Sequence, residues 1–285
     1  MNGSLLLWAA TMRTKSFDDR LRAAVATGAR EMSLFPIDYK TFTQAGLTPS
    51  DMRAQMADAG VRVSVIDPLT TWLPDSSPPP DTSEADLEFT QFSEAEILEM
   101  AETLGAESIN VIESFGAKLE FERIVESFAG VCDRARSRGL RVTVEFMPFS
   151  TIKDLATAWN IVRAADRKNG GLTFDTWHYF RGTRDDELLR SIPGEKIFRV
   201  QLADARKAVE GSLMNDLLHH RLPPGDGTFA LTPLLTILDR IKGLRSVGPE
   251  LFSDASDALS ATDAAHQAVD ASRRVLSQAG IQATL

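Results

Sequence analysis

Cysteine is almost missing from this chain: Cys132 stands alone, which excludes a disulfide framework and any cluster of thiolate ligands. Long apolar runs are missing as well. No stretch approaches the ~18 continuous apolar residues of a membrane span, and the apolar start, Met1 to Thr11, lacks the basic segment and small-residue cleavage site of a secretory leader. A first buried strand is expected there, in a cytoplasmic chain with no membrane partner. Concentrated positive charge is the third absence. The net charge is −9 and the pI near 5.1, with Lys and Arg dispersed, so a nucleic-acid backbone would be repelled and is not expected as a partner. Assembly into a homo-oligomer stays open.

The chain has ample material for a core, since 43% of its 285 residues are hydrophobic. Its apolar pattern reads as eight strand and helix units. Leu5 to Ala10 leads to a helix over Ser16 to Ala26. Met32 to Phe35 stops at Pro36 and precedes a helix through Ala59 that opens at Thr48-Pro49. Val61 to Ile66 is a third strand, ended by Asp67-Pro68. A proline-rich loop, Leu69 to Ser83, and a long helix, Glu84 to Leu104, follow. Ser108 to Ile112 pairs with a helix over Phe121 to Arg138. The runs RVTVEF, GLTFD and IFRVQL then alternate with helical segments at Ile152 to Lys168 and Arg184 to Ser191. After a long connection, Arg206 to Gly227, come a helix over Leu231 to Lys242, a strand over Val247 to Phe252 and a final helix from Asp257 to Gln278. Eight such pairs match a single-domain (β/α)8 TIM barrel spanning 1–285, whose typical size is about 250 residues. An open doubly wound sheet is the alternative, but it predicts a glycine-rich turn after the first strand. Thr11-Met12-Arg13-Thr14 contains no glycine.

Parallel strands present their C-terminal ends on one face, where barrels of this kind carry their chemistry. Glu145, Asp175, Gln201 and Glu250 fall at the ends of strands five to eight. Three carboxylates this close are not all ionised without a compensating cation, so a divalent metal at their centre is expected. An oxygen-only set suits Mn²⁺ or Mg²⁺, with Co²⁺ as a substitute. His178, three residues past Asp175, can be a further ligand, a proton carrier, a donor to substrate or a loop histidine without a role. Arg221 is placed to pin a hydroxyl, carboxylate or phosphate. Trp8, Trp72, Trp177 and Phe35 lie at or beyond strand ends, where they either wall a pocket or pack the core. Glu113 and Asp67 line the same mouth.

Read together, EFMPF, FDTWH, VQLADA, RLPPGDG and PELF resemble, in that order, the xylose-isomerase-like barrel family. This is the sugar phosphate isomerase and epimerase superfamily, with 3-dehydroshikimate dehydratases and endonuclease-IV-like enzymes among its members. The resemblance implies one divalent ion held by Glu145, Asp175 and Glu250, with Gln201 where the epimerases carry His, as in the dehydratases. It also implies Glu145 and Glu250 as base and acid on opposite sides of a small polyhydroxylated carbonyl substrate. His178, Arg221, Trp177, Trp8 and Glu113 would contact that substrate. The activity implied is isomerisation or epimerisation through an enediolate; a dehydratase sharing the same enolate is the alternative. An inactive ligand-binding barrel is a third class, set apart by an inability to bind metal. The trinuclear endonuclease site needs more histidines than the four present.

Overall fold

The eight parallel strands close on themselves in sequence order, β1 (Ser4–Leu7), β2 (Glu31–Leu34), β3 (Arg62–Leu69), β4 (Ser108–Val111), β5 (Arg141–Glu145), β6 (Gly170–Asp175), β7 (Ile197–Leu202) and β8 (Ser246–Pro249), with β8 pairing back onto β1. This computed structural model describes residues 4–74, 78 and 90–282. The expected (β/α)8 barrel is therefore the observed fold.

Local chemistry sets the helix limits. In Phe17–Thr27, Ser16 caps the start by accepting from the Asp19 amide, and Gly28 ends the helix at φ 76°, a conformation that costs glycine little. Pro49–Ala59 and Glu94–Leu104 open on capping boxes built by Thr48 with Asp51 and by Ser93 with Glu96. Several expected limits are corrected. β3 does not stop at Asp67-Pro68 but runs through it, because the register with β4 shifts between Ile66 and Leu69 and no ladder bond is asked of the proline. Pro36 does end the strand before it, yet it also starts a helix, Pro36–Gln44, at the position where a missing N–H costs nothing. The helix expected from Glu84 begins at Glu94, since 91–93 are not helical. Its expected first residues, and Ser76-Ser77 with most of the proline-rich loop, lie outside the described residues. The connection 206–227 contains a further helix, Leu213–His219.

The barrel interior is polar for much of its height. At its N-terminal end Arg62 pairs with Glu31 at 2.5 Å and with Glu107 at 2.6 Å, and Arg199 reaches Glu107 at 3.1 Å. Above this base, Thr173 Oγ1 donates to Thr143 Oγ1 and Thr143 Oγ1 to Asn110 Oδ1, both at 2.8 Å. Leu6, Trp8 and Val65 form a small apolar cluster apart from the main core. That main core lies between sheet and helices, and no helix among the described residues is long and apolar enough to cross a membrane.

Candidate active site

Each of the last four strands delivers one polar group to the C-terminal rim. Glu145 and Asp175 are the last residues of β5 and β6, Gln201 is the penultimate residue of β7, and Glu250 follows β8 directly. The ladder sets Asp175 opposite Gln201, and Gln201 opposite Gly248. All four side chains are buried. Arg221, from the long β7–β8 connection, comes between them. Its Nη1 donates to Asp175 Oδ2 at 2.7 Å and to Glu250 Oε2 at 3.1 Å, while Gln201 Nε2 donates to Glu250 Oε1 at 2.8 Å. On the other flank His178 Nε2 lies 3.2 Å from Glu145 Oε1 and 3.8 Å from Asp175 Oδ2. Asp175 Oδ1 accepts the amides of Trp177 and His178, so it also caps the short helix Thr176–Arg181.

Burial and mutual repulsion set the electrostatics of these crowded carboxyls. Burial drives the Glu250 carboxyl well above the usual carboxylate range; Arg221 opposes this, and Glu145, Asp175 and Asp67 add to it. Burial raises Asp67 in the same way, reinforced by Glu145. Asp175 ends below its ordinary value because Arg221 and His178 outweigh its burial. Glu145, Asp67, Asp175 and Glu250 are all buried, and Arg221 is the arginine that pairs directly with two of them. The donor set fits a divalent cation. Among the described residues, Glu145, Asp175 and His178 bring ligand atoms within 4.8 Å of one another, and the buried Gln201 Oε1 and His178 Nδ1 lack a hydrogen-bond partner.

The remaining predicted residues separate by what they touch. Trp177 is buried with its indole N–H on Asp216 Oδ2 at 3.1 Å, and its ring lies 5.4 Å from the Arg221 guanidinium. Phe252 covers that guanidinium at 5.3 Å, so the two rings hold the arginine in place. Trp8 is fully buried inside the barrel with Leu6 and Val65. Glu113 braces two rim loops: Oε1 accepts the amides of Phe115 and Ala117 at 2.7 and 3.1 Å, and Oε2 that of Thr151 at 2.7 Å. Trp72 takes the core-packing alternative. It packs on Phe128 and donates to the Ile112 carbonyl at 2.8 Å, outside the site. Phe35 stacks on Phe252 at 6.0 Å.

Two residues with no assigned role in the sequence reading prove central. Asn110 bridges Asp67 and Glu145. Asp204, buried just after β7, accepts the amides of Ala205, Gly225 and Phe229 at 2.8 to 3.0 Å, and its backbone pairs with Leu222. Gly227 passes so close that a Cβ there would lie 2.3 Å from Asp204 Oδ1. Asp204 thus anchors the turn that carries Arg221. Asp204→Ala, leaving these amides unpaired, is expected to lower stability by about 3 kcal/mol. Denaturant unfolding checks this, and a simultaneous rise in KM would report displacement of Arg221.

Residues 21–278 match the family described as the xylose isomerase-like TIM barrel. The chain belongs to that family. Among its curated relatives, the 3-dehydroshikimate dehydratase of Pseudomonas aeruginosa is 26% identical over 242 residues, 83% of this chain, and the chain spans 36% of that protein's length. The inosose isomerase of Bacillus licheniformis is 30% identical over 156 residues, 54% of this chain and 55% of the isomerase. Among solved structures, one described as the IOLI protein with a binding zinc atom superposes with a TM-score of 0.83 at 21% identity, covering 96% of this chain and 98% of its own. That last likeness is one of fold.

Proposed function

We propose that this barrel is a divalent-metal-dependent isomerase or epimerase that removes a proton next to the carbonyl of a small polyhydroxylated substrate and returns it elsewhere. The observation that carries the proposal is the buried ring of Glu145, Asp175, Gln201 and Glu250, in which three carboxyl groups meet one guanidinium, that of Arg221. Those four residues would hold the ion, Mn²⁺ or Mg²⁺ by their oxygen donors. That the IOLI protein, a barrel of the same fold, is described with a binding zinc atom supports a metal-binding reading. When bound, the ion acts as a Lewis acid toward the substrate carbonyl. Arg221, clamped between Trp177 and Phe252, orients a substrate oxygen. Glu145 and Glu250 take and return the proton, and their burial keeps bulk water from competing. His178, beside Glu145, donates to a substrate oxygen.

A second reading, elimination of a β-hydroxyl by the same enolate, is favoured by one observation. Gln201 stands where the epimerase pattern has His, and its amide donates to Glu250. The dehydratase relative also matches more of this chain than the inosose isomerase does.

The test is chelation followed by Mn²⁺ refill, with element analysis and α-proton exchange in D₂O over ketoses, inososes and dehydroshikimate. One ion per chain is expected, with stabilisation of about 2.7 kcal/mol at a hundredfold excess over Kd. His178→Ala should retain the ion. Its loss would transfer the ligand role from Gln201 and Glu250 to His178, and an ion-free, unstabilised wild type would leave only a binding barrel. Product analysis separates isomer from eliminated water.

A further inference from the structure

Asn110 lies in mid-strand on β4, fully buried, with β3 on one side and β5 on the other. Its Nδ2 donates to Glu145 Oε2 at 2.6 Å and to Asp67 Oδ1 at 2.9 Å. An amide nitrogen carries two hydrogens, so both bonds form together. The amide oxygen is committed as well. Thr143 Oγ1 donates to it at 2.8 Å, its other acceptor, the Ile109 carbonyl, being farther at 3.4 Å, and Thr143 in turn accepts from Thr173 at 2.8 Å. Turning the amide over would set its oxygen against two carboxylates. The hydroxyl chain and the carboxylate pair therefore specify one orientation from opposite sides.

The consequence falls on Glu145. With Oε2 drawn toward the barrel interior, Oε1 is the oxygen beside His178 Nε2 at 3.2 Å. We infer that Asn110 is a positioning residue that makes Glu145 present a single oxygen, Oε1, to the site, with Asp67 anchoring the amide from the far side. The pinning stands on geometry alone; only the use made of Oε1, in holding the ion, rests on the proposed function.

Asn110→Leu keeps the branched shape and removes both donors. In crystal structures of the chelated protein, the variant is expected to lose the contact between Glu145 and His178 that the wild type keeps. In Mn²⁺ titrations its affinity should fall about 10- to 100-fold, the usual effect of removing a group that orients a ligand. Thr143→Val should weaken Mn²⁺ binding in the same direction, and Thr143→Ser, which restores the hydroxyl, should match wild type. A merely structural role for this layer would not follow the hydroxyl in that way. The inference is overturned if Asn110→Leu leaves Glu145 in place or binds Mn²⁺ as the wild type does. Should that variant not fold, equal affinities for the two Thr143 variants overturn it. A wild type that binds no Mn²⁺ sinks the proposed function, and the crystal structures then decide the pinning by themselves.

Discussion

Glu250→Gln is expected to cut turnover about a thousandfold, within the range for losing a positioned acid or base, while KM moves less than tenfold. The carboxylate receives a hydrogen bond on each oxygen, from Gln201 Nε2 at 2.8 Å and Arg221 Nη1 at 3.1 Å. An amide accepts through its oxygen alone, so one of these donors must face an NH₂ group. The substitution therefore removes a proton acceptor and disturbs the pair that fixes it, with little change in volume. Steady-state and single-turnover rates on a substrate found by the exchange screen supply the measurement. If KM rises and kcat holds, Glu250 only binds.

The second large effect concerns stability. Arg221→Met should destabilise the chelated protein by about 3–5 kcal/mol, because it leaves Asp175 and Glu250 buried without their partner. Saturating Mn²⁺ should return part of that loss, since a cation among the carboxylates replaces the missing charge. Thermal unfolding with and without Mn²⁺ separates the contributions. A deficit that ignores the ion would mean that the carboxylate ring and the metal are not linked, and an unchanged chelated protein would mean that the ion pair contributes nothing.

What the sequence revealed and what it hid follow from the range of the interactions involved. RVTVEF and GLTFD each bring a carboxylate to the end of an apolar run, and parallel strands turn such ends to one face; Glu145, Asp175, Gln201 and Glu250 were legible for that reason. Arg221 was legible as a candidate from the turn after it, but its clamp of Trp177 and Phe252 joins residues 44 and 31 positions away and left no local mark. Asn110 sits inside SINV as an ordinary mid-strand polar residue, and only closure of the sheet gives it Asp67 and Glu145 as neighbours. Glu113 shows another non-local arrangement. A strand-end acid gives no sign that the following loops will fold three amides onto it. Pro36 and Pro68 both read locally as stops, although one suits the first turn of a helix and the other a register shift.

The ion pairs of Arg62, Glu31, Glu107 and Arg199 at the bottom of the barrel also bear on the order of events in a catalytic cycle. With ion pairs at that end, a molecule bound above Thr143 and Thr173 would enter and leave at the C-terminal rim, the side where Arg221 meets Asp175 and Glu250. On the proposed function, product would leave before the next substrate arrives, and the two would compete for the same passage. Accumulated product should inhibit competitively, and a stiffer turn at 223–227 should slow release at least as much as it slows capture.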